Sequence, residues 1–268
     1  MKLAVILAAA GSSRRYTQSG GIRSKLEEDL GGRPVLQRTV ELFTKLDLDD
    51  VNVGPIIVAG PADEETYAAF CEHHADRLSL LGAKICRGGV THRWETIRNA
   101  LALVPADSTH VAIHDAARPC TPPALVARVV QAAARHGAAV PAVDTTDTIK
   151  RAMDTDAPAQ DLDPLAGILG VQEQPTRLRI VRETLDRTGL IQVQTPQVFA
   201  RDLLVRAYAQ SDLTSTDDAS LVERLGHKVV VVEGDALNIK ITRPRDLDLA
   251  RAILGVRAPE GRATHKKF

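Results

Sequence analysis

Short apolar runs alternate along this chain with stretches of helical length, and that rhythm restricts the fold more than any single residue does. The β-like runs are Leu3–Leu7, Pro55–Ala59, Ala83–Arg87, His110–His114 and Ala138–Val143; between them lie helical stretches over Pro34–Leu46, Ala62–Arg77, Thr91–Val104 and Pro122–Arg135. Parallel neighbours need a long crossover, and each crossover helix covers part of the sheet. The βαβα order therefore predicts an α/β fold, a doubly wound and mostly parallel sheet with helices on both faces. At 268 residues the chain is ample for one such core, and a single domain over residues 1–256 is expected. Ligands of these sheets collect at the carboxyl ends of the strands, so the informative loops follow Leu7, Arg87, Ile113 and Val143.

The rhythm fails between about residues 145 and 190, where Asp154–Pro164 is rich in Asp, Ala and Pro. This predicts an excursion from the sheet in the form of a β-arm. The core resumes at Ile191, with helices over Ala200–Gln210 and Asp217–Leu225 and a β run at Lys228–Val232. A last helix is expected to start at Arg243-Pro244, since proline suits a first turn, and to stop at Gly255. The tail at 257–268 is expected to be disordered.

Lys and Arg together number 34, as do Asp and Glu. A chain without net charge lacks the broad basic field of a nucleic-acid binder, so any polyanion must be met locally. One Trp, three Tyr and four Phe are too few for base-stacking platforms. Cys71, Cys86 and Cys120 are far apart and odd in number, which argues against a disulfide framework or a structural zinc site and for a reducing cytoplasm. No apolar run is long enough to span a bilayer.

Against that background the segment Leu3–Arg15, LAVILAAAGSSRR, carries chemistry. A buried strand runs into Ala9, Ala10 and Gly11, small residues that let backbone N–H groups approach a ligand, and Arg14 and Arg15 follow as cations for a polyphosphate. Lys25 lies beyond a loop holding Ser19, Gly20 and Gly21 and can return over the same place. Gly88-Gly89 follows the third strand, with Arg93 and Thr96 on the next helix. Asp115 follows the strand Val111–Ile113, where a nucleotidyl transferase holds Mg²⁺ against phosphates. The same carboxylate also suits a turn cap or a pair with Arg118. His73-His74 point to different faces of a helix and read as surface residues.

Several of these segments, taken in order, resemble one family. A-A-G-x-x-x-R followed by a lysine resembles sugar-phosphate nucleotidyltransferases. His-Asp-Ala-Ala-Arg-Pro at 114–119, Asp-Thr-Ile-Lys at 147–150, Thr-Pro-Gln at 195–197, Thr-Asp-Asp-Ala at 216–219 and Asn-Ile-Lys-Ile-Thr-Arg-Pro at 238–244 narrow this. Together they resemble the 2-C-methyl-D-erythritol 4-phosphate cytidylyltransferases of the non-mevalonate isoprenoid pathway, from about residue 3 to residue 254.

The resemblance implies a Rossmann-like nucleotidyltransferase fold and transfer of CMP from CTP to the methylerythritol phosphate. It implies that Arg15 and Lys25 stabilise the transition state at the α-phosphate and that Asp115 is the Mg²⁺ ligand. Ala9, Ala10, Gly11, Gly88 and Thr96 would contact the nucleotide. Arg118, Thr148, Arg187, Thr195 and Lys240 would surround the acceptor, with Arg187 and Lys240 positioning its phosphate, in part across a homodimer whose arms exchange. The chain departs from the family pattern at Ser24, where proline is usual, in the longer loop at 16–24, in Val90-Thr91-His92 before Arg93, and in an insertion within Met153–Val181. A ribitol 5-phosphate cytidylyltransferase shares most of these motifs and remains the alternative, followed by a non-catalytic nucleotide-binding module. A Rossmann dehydrogenase is excluded, because the first loop lacks G-x-G-x-x-G.

Overall fold

A computed structural model describes residues 1–155 and 178–258. Residues 156–177 of the insertion and residues 259–268 of the tail lie outside the described residues, and so do most of the expectations placed on them.

The described chain divides into two compact units. The larger comprises Met1–Val143 and the chain from Val193 onward. Its strands are β1 (Lys2–Ala8), β2 (Asn52–Gly60), β3 (Ala83–Arg87), β4 (His110–Asp115), β5 (Ala138–Asp144), β9 (Gln197–Ala200) and β10 (Val230–Glu233). They lie side by side in the order β10-β5-β9-β4-β1-β2-β3. Along this order all neighbours are parallel except β9, which runs antiparallel to both β4 and β5. The sheet is therefore the doubly wound, mostly parallel one expected, with a reversed strand, β9, between two parallel neighbours that the rhythm of the sequence did not reveal. β9 has four residues, too few for a period-two pattern to stand out.

Alternation along β1 explains why the sheet is covered twice. Leu3, Val5 and Leu7 point to one face and Ala4 and Ile6 to the other, all fully buried. The first face packs on α2 (Val35–Thr44), α3 (Glu64–Leu80), α5 (Pro123–His136) and α8 (Pro244–Leu254), through residues such as Leu36, Phe43, Val126, Val129 and Leu247. The second packs on α4 (Arg93–Leu101), α6 (Arg201–Tyr208) and α7 (Ala219–Arg224), through Ile97, Leu101, Leu204, Leu221 and Val222. Truncating a wholly buried residue such as Leu36 to Ala costs about 2–5 kcal/mol.

Local signals set several ends. Asp63 caps α3 by accepting the Thr66 N–H at 3.0 Å. Gly137 and Gly255 close α5 and α8 in the left-handed region, at φ 80° and 63°. Pro244 occupies the first turn of α8 as expected. Helix ends differ from the predicted limits by one to three residues: α3 runs on to Leu80, past the expected Arg77, and α4 starts at Arg93 rather than Thr91, because residues 88–92 are drawn into a loop. A short helix that the rhythm did not suggest, α1 (Arg14–Gln18), follows the first loop. Asn238–Thr242 is irregular chain leading into α8.

The second unit, Asp144–Gln192, contains an antiparallel ribbon of β6 (Lys150–Asp154) and β7 (Arg179–Thr184). Arg151 pairs with Glu183 at 2.7 Å, and Lys150 Nζ donates to Thr184 Oγ1 at 2.6 Å. Met153, Ile180 and Val181 are each more than half exposed. A three-residue strand, β8 (Ile191–Val193), follows where the chain returns to the larger unit.

Candidate active site

Four chain segments converge at the carboxyl edge of β1, β3 and β4, and an open cleft of about 430 Å³ lies among them. Its first wall is the loop after β1. The Ala9 N–H donates to the Ala59 carbonyl at 2.9 Å, which ties the start of the loop to β2. A Cβ at Gly11 would meet nothing within 4 Å, so the glycine leaves open space on the cleft side. The loop at 16–24 then folds on itself: a Cβ at Gly21 would lie 2.2 Å from the buried Tyr16 ring, a contact only glycine permits. That packing returns the chain to Lys25, which lines the cleft. Burial, the nearby Lys240 and Arg15 together pull the Lys25 ammonium down to about 8, while Asp115 opposes them.

The second wall is the end of β4. Asp115 Oδ2 accepts from Lys240 Nζ at 2.9 Å and from Arg118 Nε at 3.2 Å. Burial disfavours its charge, yet Lys240, Arg93 and Arg118 outweigh that penalty and hold the carboxyl well below the usual carboxylate range. Behind it, the Asp115 N–H donates to Thr195 Oγ1 at 3.1 Å, which lies 3.0 Å from His114 Nδ1. His114 Nε2 lies 3.2 Å from the Arg118 carbonyl. Burial pushes His114 down to about 4, so the ring is neutral. A carbonyl only accepts; Nε2 therefore carries the proton and Nδ1 accepts from Thr195. The result is a directed chain of hydrogen bonds that fixes Asp115.

Lys240 arrives from the irregular segment at 238–242. Arg118 Nη1 donates to the Asn238 carbonyl at 2.6 Å, and Asn238 Nδ2 donates to the Thr195 carbonyl at 2.9 Å. The Ile241 N–H donates to the Ala117 carbonyl at 2.9 Å. These bonds clamp the Lys240 segment against the loop after β4.

The third wall is the loop at 88–92. A Cβ at Gly88 would lie 2.4 Å from the Gly60 carbonyl and 2.8 Å from Ala10 Cβ. Only glycine lets this loop pass so close to the first one. The Gly89 N–H donates to Thr96 Oγ1 at 2.9 Å, and the Glu95 carboxylate accepts the Thr91 N–H at 2.8 Å. Arg93 lines the cleft and pairs with Asp218 at 2.7 Å.

Ala9, Ala10, Gly11, Lys25, Thr96, Asp115 and Lys240 thus stand around one cleft. Gly88 is buried just beneath it, and Arg118 and Thr195 stand behind Asp115. Arg15 does not line the cleft; it is exposed on α1, and Arg14 lines the cleft in its place. Thr148 and Arg187 belong to the second unit and are exposed there, Arg187 Nη1 donating to the Thr146 carbonyl. Reading by sequence missed His92 as a lining residue and the Arg93–Asp218 pair. The Thr-Asp-Asp-Ala motif was the available signal for that pair.

A cation-lined cleft at the carboxyl edge of a doubly wound sheet defines an α/β protein built to receive a polyanion. The family model of IspD, 2-C-methyl-D-erythritol 4-phosphate cytidylyltransferase, matches residues 3–163 and 168–256. A 2-C-methyl-D-erythritol 4-phosphate cytidylyltransferase of Frankia casuarinae is 39% identical over 94% of this chain and 81% of its own length. One from Geobacillus kaustophilus is 34% identical over 97% of this chain and all of its own. The crystal structure of the Thermus thermophilus cytidylyltransferase superposes with a TM-score of 0.66 at 30% identity, covering 96% of this chain and 100% of that one. The chain belongs to the 2-C-methyl-D-erythritol 4-phosphate cytidylyltransferase family. Among the described residues no helix is long and apolar enough to cross a membrane.

Proposed function

We propose that this chain transfers CMP from CTP to 2-C-methyl-D-erythritol 4-phosphate, releasing pyrophosphate, and that the cleft is where it does so. An acceptor phosphate oxygen attacks the α-phosphorus, the bond from that phosphorus to the bridging oxygen of the β-phosphate breaks, and pyrophosphate departs with the electron pair. Two polyanions must meet, and no side-chain nucleophile is required. Positioning and preorganised cations supply the catalysis. The observation that carries this reading is the arrangement of Lys25, Lys240, Arg93 and the fixed Asp115 around the loop of Ala9, Ala10 and Gly11.

We assign the nucleotide to Ala9, Ala10, Gly11, Gly88 and Thr96, and stabilisation of the α-phosphate to Lys25 and Arg15. Arg15 is one residue from the cleft-lining Arg14, and its charge already acts on Lys25. Lys240, and Arg187 with Thr148 from the arm, would hold the acceptor. Thr195 and Arg118 were expected against the acceptor. Their engaged atoms place Thr195 behind Asp115, while Arg118 would contact the acceptor with its remaining donors. Among the described residues no group of three His, Cys, Asp or Glu could enclose a metal. One carboxylate at a phosphate cleft nevertheless suits Mg²⁺, which is held by few carboxylates together with substrate phosphates. Asp115 would be its ligand, and the ion would offset charge on the triphosphate. Lys240 would leave Asp115 and become available to the acceptor phosphate.

The reading includes a homodimer completed by exchanged arms and, from the three free cysteines, a cytoplasmic location. It is tested by pyrophosphate release from CTP and Mg²⁺ with each polyol phosphate. We expect kcat/KM for methylerythritol phosphate to exceed that for ribitol 5-phosphate at least about tenfold. A reversed preference makes the chain a ribitol 5-phosphate enzyme, and CTP binding without transfer to either makes it a binding module.

A further inference from the structure

Arg93 is held in the cleft by a buried acid that the reaction itself does not use. Asp218, at the start of α7, is wholly buried, and its Oδ2 lies 2.7 Å from Arg93 Nη1. Its other oxygen, Oδ1, accepts from the Tyr208 hydroxyl at the end of α6. The turn that carries Asp218 is fixed in turn from the sheet: Gln197 Nε2 donates to Asp217 Oδ2 at 2.8 Å, and Gln197 Oε1 accepts the Ala219 N–H at 3.1 Å. Gln197 pairs with Ile113 on β4, two residues before Asp115, and follows Thr195 by two. The short segment from Thr195 to Gln197 therefore meets both the Asp115 backbone, through Thr195, and the turn that carries Asp218, through Gln197. Arg93 keeps about 30% of its side chain exposed and lines the cleft.

A buried carboxylate is costly unless it is paired, and a surface arginine would spend its rotamer freedom when it meets a ligand. Pairing the two removes both costs before any ligand arrives. A guanidinium has five donors in a fixed fork, so one edge can be held by Asp218 while donors remain for an anion. We propose that Asp218, locked by Tyr208, is a positioning residue that holds Arg93 on the cleft wall as a preset cation for the phosphates of the bound nucleotide. This rests on the assignment of the cleft to CTP. The Asp218–Tyr208 pair touches no substrate; it acts only through Arg93. Burial opposes the Arg93 charge, but Asp218 and Asp115 more than restore it, so the guanidinium stays protonated at every working pH.

The test compares Asp218→Asn, Tyr208→Phe and Arg93→Gln with the unaltered chain, reading CTP dissociation by calorimetry, kcat and KM for both substrates, and thermal midpoint. Asp218→Asn keeps the shape and removes the charge. We expect it to weaken CTP binding by about tenfold or more, with KM for the acceptor changed less than about twofold. Tyr208→Phe should weaken CTP in the same direction by a smaller factor. Once Arg93 is Gln, adding Asp218→Asn should cost no further CTP affinity, because the route is already cut. Unchanged CTP affinity in folded Asp218→Asn, or losses that simply add in the double variant, would overturn the inference and leave Asp218 a structural acid. If Asp218→Asn does not fold, Tyr208→Phe decides: equal CTP affinity there with a lowered midpoint also overturns it. An unaltered chain that binds CTP but transfers nothing refutes the proposed reaction and not this inference; one that does not bind CTP refutes both.

Discussion

Two single residues show how the cleft uses charge. Lys25 has its pKa lowered to about 8, so the ammonium is complete below that pH and is lost as the pH rises through it. We expect kcat/KM, which reports the free enzyme, to fall along an alkaline limb near pH 8. In kcat the limb should move to higher pH, since bound phosphates favour the ammonium; identical limbs in both parameters would refute this. The same depression means that the folded state binds the Lys25 proton less tightly than the unfolded chain does. Its penalty is therefore fully present below about pH 8 and relieved above it. Lys25→Met should raise stability at pH 7 by on the order of 1 kcal/mol while reducing turnover, checked by denaturation beside the assay. Asp115→Asn removes the proposed metal ligand and leaves Lys240 and Arg118 without their shared partner. Turnover at saturating Mg²⁺ should drop by about a hundredfold or more, and near-normal turnover would remove Asp115 from the metal role.

At the scale of elements, loops carry the ligands and strands and helices fix the loops. The segment bearing Lys240 is held at its far end by α8, where Asp246 accepts from the Thr242 N–H, the Thr242 hydroxyl and the Arg243 N–H at 2.7–2.8 Å. Asp246→Ala should cost about 1 kcal/mol of stability and raise KM for the acceptor more than for CTP. Equal rises in the two would show that the segment does not position Lys240 selectively. Gly88→Ala acts on the opposite wall. Its Cβ would strike the Gly60 carbonyl at 2.4 Å, so the loops after β2 and β3 must separate, at a cost of about 1–3 kcal/mol and with weaker CTP binding. Unchanged CTP affinity in that variant would dissociate Gly88 from the nucleotide.

For the whole molecule, the second unit carries the proposed exchange between copies. An isolated two-stranded ribbon is marginal in water, and this one exposes Met153, Ile180 and Val181, which suits the proposal that a second copy covers it. Mixing Arg187→Ala with Asp115→Ala chains should restore one active centre if arms exchange, and no recovery after verified subunit exchange would place Arg187 in its own chain's site. The alternation of apolar runs determined the doubly wound sheet, and the Gly and Pro positions determined several helix ends, because periodicity and turn chemistry are local properties of the chain. Ala9, Ala10, Gly11, Lys25, Thr96 and Asp115 were legible as neighbours of one cleft because they lie in or just beyond the loops that follow strands, and Lys240 because its segment resembles a family motif. Tertiary structure alone decided that β9 runs backwards, that Arg14 and not Arg15 lines the cleft, and that Asp218 meets Arg93. It also decided that Thr195 stands behind Asp115. Each of these depends on which remote segments pack together and on where a side chain points when they do, and burial energy summed over the whole core settles that, not the residues nearby in sequence.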